Sequence, residues 1–304
     1  MAEEIDVLVM GAGPAGLQAA VHAVRKKTSV VVVGKPENSA IYRAHVENYL
    51  CVDGVVDGSD MVKVGVAQAT GFGAELVRED ILHVEAVEGG FLVRSETKEF
   101  MALSVIIAIG TSKKKLNVPG EKALLGKGVS YCVDCDCNFY RGAKVAVVGN
   151  GSAAVDGAIT LTNYASDVTL VAKELAVSDA MQARLAESSV VVKEGVWAKE
   201  IVGEMAVTGL LLDDDAALEV EGVFVELGAK GPMELATSIG VALDMETFSY
   251  IDTNKKMETN IEGVYAAGDI AGQPFQMAKA VGDGCTAGWF AANYVKKLKR
   301  QVKA

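Results

Sequence analysis

The sequence contains the same strand–turn–helix pattern twice, with glycine at both turns. Residues 5–16 read IDVLVMGAGPAG, and residues 143–154 read AKVAVVGNGSAA. An apolar run precedes each turn, and a second β-branched run follows each predicted helix, at 29–33 and at 168–171. A strand, a crossover helix and a parallel strand form a βαβ unit, and this context makes a glycine pattern informative. The repeat predicts an α/β protein with two Rossmann-like, three-layer dinucleotide-binding domains.

The last part of the chain continues the pattern of the first part. A strand that ends in Gly-Asp is predicted at 263–269, and a long helix is predicted at about 276–299. We therefore expect a discontinuous first domain, residues 1–113 and 243–304, with a second domain, residues 114–242, inserted into it.

Charge and cysteine usage exclude several classes of protein. The chain of 304 residues carries a net charge of −11, so neither nucleic acid nor an anionic membrane is an expected partner. Five cysteines are too few for a secreted disulfide scaffold. The first strand follows the N-terminus without a signal-peptide core, and the apolar runs are too short to cross a bilayer. A cytoplasmic protein is expected.

The first turn has the glycine spacing of a pyrophosphate site. Gly11 permits the tight turn, Gly13 lets the backbone approach a pyrophosphate, and Gly16 lets the helix pack against the strand. The free N–H groups of the helix then face the phosphates. Glu37, after the second strand, is a poor candidate for the acidic residue that holds a ribose. The nucleotide contacts predicted for the turn itself are Gly11, Gly13, Pro14, Ala15 and Gly16.

Two cysteines just before the second copy have redox spacing. Cys132 and Cys135 lie in a Cys-x-x-Cys sequence, in which one thiolate can attack a disulfide while the other resolves the product. Asp136 follows directly, and a carboxyl group there could pass a proton to a leaving thiolate. We predict these three residues to be catalytic.

Cys137 leaves other interpretations open. A Cys-x-x-Cys-x-Cys cluster could hold zinc or an iron–sulfur centre. A closed site needs four ligands, however, and only Cys51 and Cys285 remain, while the three histidines lie far away in sequence. We therefore predict no metal. Cys137 is either a third exchanging thiol or a small buried residue.

Further motifs lie along nearly the whole chain. In order they are GAGPAG at 11–16, VENY at 46–49, AIG at 108–110, YCVDCD at 131–136, FYR at 139–141 and AAGD at 266–269, followed by Gln276. Taken together, they resemble those of the low-molecular-weight thioredoxin reductases. The resemblance implies FAD on the first domain, a homodimer, and a dithiol domain that can rotate relative to the flavin domain.

The same resemblance assigns roles to single residues. It implies that Cys135 faces the flavin, that Cys132 attacks the disulfide of a thioredoxin-like protein, and that Asp136 is the acid/base. Asp269 would bind the ribityl or phosphate region of FAD. The flavin contacts that the resemblance adds are Asn48, Ala108, Gly110, Gly268, Asp269, Gln276, Met277 and Ala278.

The second nucleotide site departs from the family pattern. NADPH-dependent members carry an HRRxxxR stretch, where this chain has Lys173, Glu174 and Ser178 in the sequence VAKELAVS. A charge-assisted bond contributes about 1.5–3 kcal/mol, so two missing arginine contacts would weaken NADPH binding by roughly 10²–10⁴-fold. Glu174 could instead hold the 2′-hydroxyl of NADH, although the stretch at 225–232 is eroded as well. On the flavin side, residues 38–43 and Phe275 also differ from the family.

These departures resemble the pyridine-nucleotide-independent branch, which accepts electrons from ferredoxin or a reduced deazaflavin. The leading hypothesis is a thioredoxin reductase whose donor is not NADPH. One alternative is an NAD(P)H-dependent reductase with an unusual pocket. Others are a metal- or cluster-binding redox regulator that uses Cys132, Cys135 and Cys137, and a flavin-bearing redox sensor without turnover.

Overall fold

The chain divides into two compact units in a computed structural model that describes residues 2–111, 115–246 (without the side chain of Met233) and 249–301. The first unit comprises Met1–Thr111 and Leu235–Ala304, and the second comprises Ser112–Glu234. The sequence placed the first boundary at 113/114, beside residues that lie outside the described part. It placed the second boundary at 242/243, later than the structure does. The return begins earlier because Leu235 is buried and the Ser238 hydroxyl donates to the Val84 carbonyl within the first unit (3.1 Å).

The first part of the first unit begins with the predicted βαβ pattern. Strand β1 (Glu3–Met10) leads through the glycine turn into helix α1 (Pro14–Arg25), and β2 (Val30–Val33) follows. The further elements, besides 3-10 turns at Pro36–Asn38 and Ala40–Arg43, are β3 (His45–Val46), β4 (Val56–Asp57), α2 (Gly58–Gly71), β5 (Glu75–Val77), β6 (Ile81–Val87), β7 (Gly90–Ser95) and β8 (Glu99–Ile107).

The second unit repeats the pattern after a short segment that carries the cysteines. Its elements are β9 (Val129–Ser130), α3 (Val133–Asp136), a 3-10 turn (Cys137–Tyr140), β10 (Lys144–Val148), α4 (Ser152–Leu161), β11 (Asp167–Ala172), α5 (Asp179–Ala186), β12 (Val191–Glu194), β13 (Ala198–Gly203), β14 (Val207–Leu212), β15 (Ala217–Leu218) and β16 (Gly222–Val225). Helix α6 (Pro232–Ser238) begins in the second unit and ends in the first. The first unit then ends with β17 (Val264–Ala266), a 3-10 turn (Asp269–Ala271) and α7 (Met277–Gln301).

The first unit is built on a mixed sheet and the second unit on a parallel sheet. In the first unit the strand order is β5–β2–β1–β8–β7–β6, with β17 also parallel to β8. In the second unit the order is β12–β11–β10–β16–β9, and every neighbouring pair is parallel. Strands β13–β15 form a separate antiparallel sheet. The predicted α/β class with two Rossmann-like units is confirmed.

The core of the first unit requires small residues where α1 and α7 cross. A Cβ on Gly284 would lie 2.1 Å from the Ala15 carbonyl oxygen, and a Cβ on Gly288 would lie 2.1 Å from the Ala19 carbonyl oxygen. The two helices therefore pack backbone to backbone, which places Gly284, about two turns into α7, beside the start of α1. Within the described residues, no helix is both long and apolar enough to span a bilayer.

Candidate active site

The first glycine turn is shaped by contacts that only glycine can make. Gly11 has φ +108, its amide donates to the Val33 carbonyl (2.8 Å), and a Cβ on it would lie 2.5 Å from the Ala108 carbonyl oxygen. A Cβ on Gly16 would lie 1.9 Å from the carbonyl oxygen of Gly11. The turn therefore brings the end of β1 directly under the first residues of α1.

The amide end of α1 lies beside open space. Gly13 precedes the helix with Pro14 at its first position, and a Cβ on Gly13 would meet Ser39 Oγ at 3.2 Å and Ser39 Cβ at 3.7 Å. Gly110, which follows β8, has φ +72, and a Cβ on it would find no described atom within 4 Å. The positive end of the helix is thus accessible to an anionic group.

The predicted Gly268–Asp269 pair borders this helix end. A Cβ on Gly268 would lie 2.9 Å from Ala15 Cβ, and Asp269 begins the 3-10 turn that follows. Burial raises the pKa of the Asp269 carboxyl, and Lys279 partly offsets that rise. The turn at Gly13 and the segment at Asp269 thus come together, as a shared cofactor site requires.

Lys279 is a residue that the sequence analysis missed. Its ammonium donates to the carbonyls of Gly268 (2.8 Å) and Gly272 (2.7 Å) and pairs with Asp283 (2.8 Å). The Asp283 carboxylate in turn accepts the Gly268 amide (3.2 Å). A signal was available, because a lysine in the first turn of a helix lies at the positive end of the helix dipole, where a cation is disfavoured.

The remaining flavin-side candidates take three positions. The Asn48 amide nitrogen donates to Gln276 Oε1 (2.9 Å), so these two predicted contacts lie together although they are 228 residues apart. Met277 and Ala278 are the first residues of α7. Glu37 lies in the 3-10 turn after β2 and pairs with Arg78 (2.8 Å), and its role towards a ribose stays a prediction.

These observations fit a dinucleotide-type flavin. Gly13 has no side chain in front of the helix, Gly110 leaves space beside the turn, and Gly268, which precedes the partly desolvated carboxyl of Asp269, packs against Ala15. If the flavin is bound there, Gly11–Gly16 would hold its pyrophosphate, and Asp269, Asn48 and Gln276 would contact the rest.

The predicted dithiol is a disulfide between Cys132 and Cys135. Cys132 caps the short helix α3, and its sulfur accepts the backbone N–H of Cys135 (3.1 Å). Asp136 ends that helix, and its carboxylate accepts the hydroxyl of Ser130 (2.6 Å), a residue that the sequence analysis did not identify. An N–H aimed at Cys132 stabilises a thiolate there, which is the form that attacks a disulfide.

Cys137 is buried and free. The disulfide uses two of the three thiols that the cluster hypothesis needed. Among the described residues, no group of three or more histidine, cysteine, aspartate or glutamate side chains is arranged to hold a metal ion.

The second glycine turn is filled by the chain itself. A Cβ on Gly151, which precedes α4, would lie 2.7 Å from the carbonyl oxygen of Gly228. That oxygen accepts the amide of Ala153 (3.2 Å), a first-turn N–H of α4. A protein carbonyl therefore accepts a first-turn N–H at the start of α4.

The stretch after β11 folds back on the same turn. The Asn150 carbonyl accepts the Ala176 amide (2.9 Å), and the Asn150 side chain accepts the Lys173 amide (3.1 Å). The Lys173 ammonium pairs with Asp213, and Glu174 is exposed. The one cation that remains from the phosphate-binding stretch is thus used in an internal ion pair.

Comparison with known proteins identifies the family. Residues 5–284 match the pyridine nucleotide-disulphide oxidoreductase family. A thioredoxin reductase of Bacillus subtilis is 34% identical over 319 residues, covering 100% of this chain and 99% of that protein. Two crystal structures are similar, each at 32% identity. The atypical thioredoxin reductase TRi of Desulfovibrio vulgaris has a TM-score of 0.86 (96% of this chain, 98% of that one). A ferredoxin-flavin thioredoxin reductase of Clostridium acetobutylicum has a TM-score of 0.71 (99% and 100%).

The family match, the two dinucleotide-type units and the Cys132–Cys135 disulfide describe one class of enzyme, the flavoprotein oxidoreductases with a redox-active disulfide. The chain belongs to the thioredoxin reductase family of the pyridine nucleotide-disulphide oxidoreductases.

Proposed function

We propose that this protein is an FAD-dependent thioredoxin reductase whose electron donor is not NADPH. FAD is held by the first unit at Gly11–Gly16, and electrons leave through Cys132 and Cys135 to a thioredoxin-like protein. The observation that carries the donor assignment is the Gly228 carbonyl, which accepts the Ala153 amide at the start of α4.

Binding of NADPH to the second unit would have to break that arrangement. A pyrophosphate at α4 needs the N–H groups of the helix start and close access to Gly151. Gly228 lies at this place, and the chain beside it is fixed, because the Glu226 amide donates to the Val148 carbonyl (2.9 Å). The 2′-phosphate would then meet Lys173, already paired with Asp213, and the exposed carboxylate of Glu174.

Another donor is therefore required. The relatives include a protein named as an atypical thioredoxin reductase and one named as a ferredoxin-flavin thioredoxin reductase. The second name supports ferredoxin as the donor class for this chain, and a reduced deazaflavin is the other donor that the family resemblance of the sequence implies. Both deliver electrons to a flavin without a nucleotide site in the second unit.

Each residue of the dithiol motif can be assigned a step in disulfide reduction. Bound FAD supplies the electron pair that reduces the Cys132–Cys135 disulfide. The Cys132 sulfur, stabilised as a thiolate by the Cys135 N–H, attacks one sulfur of the partner disulfide and forms a mixed disulfide. The Cys135 sulfur then attacks Cys132, which releases the partner as a dithiol with two electrons and two protons. Asp136, held by Ser130, is placed to pass a proton to a leaving thiolate.

The thioredoxin-like partner has an apolar contact available beside the dithiol. Phe139 lies in the 3-10 turn that follows α3, and 83% of it is exposed. An exposed aromatic ring next to a reactive disulfide suits a transient protein partner. We also propose a homodimer and a cytoplasmic location, the first from the family resemblance and the second from the cysteine usage.

Anaerobic reduction of the bound flavin tests the donor assignment. We expect micromolar NADPH and NADH to leave the flavin oxidised, and reduced ferredoxin or photoreduced deazaflavin to bleach it rapidly. Rapid bleaching by NADPH would overturn the proposal, and rapid bleaching by NADH alone would favour a nucleotide held by Glu174. Cys132→Ser and Cys135→Ser should each stop thioredoxin reduction while the flavin still bleaches.

A further inference from the structure

Both residues between the two cysteines contact one segment of the second unit, residues 226–231. The Val133 amide donates to Glu226 Oε1 (3.3 Å). The Asp134 carboxylate accepts the ammonium of Lys230 (2.6 Å). These contacts join the Cys-x-x-Cys to residues more than 90 positions away, so the segment is a candidate for what fixes the motif in place.

Lys230 is a buried cation. Its side chain is 4% exposed, and besides Asp134 it lies 3.4 Å from Asp156 and 3.9 Å from Glu234. Asp156 also pairs with Arg184 (3.1 Å). Burial alone would lower the pKa of Lys230, but Asp156 and Asp134 raise it, so the ammonium remains charged. Burying such a cation costs desolvation free energy, and its charge interacts strongly with neighbouring charges because the surroundings screen it weakly.

Glu226 completes the group. It is 4% exposed, and burial raises the pKa of its carboxyl well above the usual range, with Glu234 adding to the rise. A neutral Glu226 can accept the Val133 amide without adding a negative charge beside the disulfide. Lys230 is then the cation that compensates the Asp134 carboxylate, one residue before Cys135.

We propose that Lys230 is a positioning residue that sets the redox potential of the Cys132–Cys135 couple through its ion pair with Asp134. The inference depends on the disulfide and not on the identity of the electron donor.

The physical argument concerns the reduced form of the couple. Reduction breaks the S–S bond, takes up two electrons and two protons, and yields a pair that loses a proton to form a thiolate. The thiolate is disfavoured by the Asp134 carboxylate, and Lys230 compensates that charge. Removing the ammonium should therefore favour the disulfide, and removing the carboxylate should favour the dithiol. If the substitutions only loosened the Cys-x-x-Cys motif, the redox potentials of both variants would shift in the same direction.

The test is a thiol–disulfide titration of the full-length, flavin-loaded protein in dithiothreitol redox buffers, with trapping of Cys132 and Cys135 thiols, at a pH near the free thiol pKa of about 8.5. For Lys230→Met we expect the equilibrium constant for reduction to fall by about tenfold, which is about 30 mV to more negative potential for this two-electron couple. For Asp134→Asn we expect a shift to less negative potential. The double variant should lie between them.

A matched control lies in the same unit. Lys199 pairs with Asp215 at the same distance of 2.6 Å, but this pair is exposed, so Lys199→Met should leave the potential unchanged. Shifts of equal sign in Lys230→Met and Asp134→Asn, or no shift in either, would overturn the proposal. If Lys230→Met does not fold, Asp134→Asn decides by its sign, because Lys230 keeps Asp156 and Glu234 as partners.

Discussion

In the first unit the amide end of α1 opens beside Gly110, whereas in the second unit the amide end of α4 is capped by Gly228. The two glycines hold corresponding places, because β8 and β16 each pair with the central strand and end at Ile107 and Val225. A Cβ on Gly110 would meet no described atom within 4 Å, while the Gly228 carbonyl accepts the Ala153 amide. The same turn is open in one unit and closed in the other.

The difference teaches that the glycine turn and its ligand are separable. Gly13 (φ −88) and Gly151 (φ −109) have ordinary backbone conformations, so backbone strain does not distinguish the two turns. What differs is the atom in front of the helix. A glycine turn predicts a strand–helix connection, and the proposed function assigns to the chain after the neighbouring strand whether a nucleotide can enter.

The largest expected effect comes from adding one methyl group to each turn. Gly13→Ala should weaken FAD binding by about 100-fold, or about 3 kcal/mol, because Gly13 is the position at which the backbone would approach the pyrophosphate. The unfolding free energy of the apoprotein should change by less than about 1 kcal/mol, because the new Cβ would meet only the Ser39 side chain, at 3.2 Å. Gly151→Ala should do the reverse. Its Cβ would meet the Gly228 oxygen at 2.7 Å, which costs about 1–3 kcal/mol of stability, with FAD affinity retained. Flavin titration and urea unfolding measure both, and equal effects of the two changes would contradict the comparison.

A second prediction concerns the buried carboxyl group of Glu234 in the second unit. Burial raises the pKa of Glu234 to about 7, so its stabilising contribution is complete below its unfolded pKa near 4.5 and is lost as the pH rises through 7. The unfolding free energy should fall by at most about 1.4 kcal/mol per pH unit in this window. Hydrogen exchange of β10 and α4 amides at several pH values measures it. Glu234→Gln should flatten the slope, and an unchanged slope would contradict the assignment.

A third prediction concerns the segment beside the open turn. Lys279→Met removes the ammonium that joins the carbonyls of Gly268 and Gly272, so the segment that carries Asp269 is less ordered before FAD binds. We expect FAD to bind about tenfold more weakly, or about 1.4 kcal/mol. Lys63→Met is the control, because Lys63 forms an exposed pair with Asp60 in the same unit (2.9 Å). Equal affinities of the two variants would contradict the role of Lys279.

The smallest expected effect comes from restoring arginines to the phosphate-binding stretch of the second unit. Glu174→Arg combined with Ser178→Arg restores cations of the phosphate fork, but Gly228 still fills the turn. NADPH should therefore gain less than about tenfold in its rate of flavin bleaching. A gain of about 100-fold would mean that the fork alone was missing and that the closed turn yields readily to a nucleotide.

The candidate site shows which parts of such a molecule a sequence can predict. The glycine turns, Cys132 and Cys135 were identifiable because their spacing is local and their chemistry is specific. Lys230 and Asp134 are 96 residues apart, and nothing in either local sequence signals that they pair. Ser130 was missed for another reason, since a serine six residues before Asp136 is unremarkable until the short helix α3 brings the two side chains together.

The sequence by itself determined the α/β class, the two βαβ units, the disulfide candidates and the loss of the phosphate fork, because each depends on residues that are neighbours along the chain. Only the tertiary structure decided that the Gly228 carbonyl binds an amide at the start of α4, that Lys279 holds the segment at Asp269, and that a buried lysine pairs with Asp134, between the two cysteines. Those contacts arise where distant strands end side by side, and their consequences come from burial, which sets the strength of each charge.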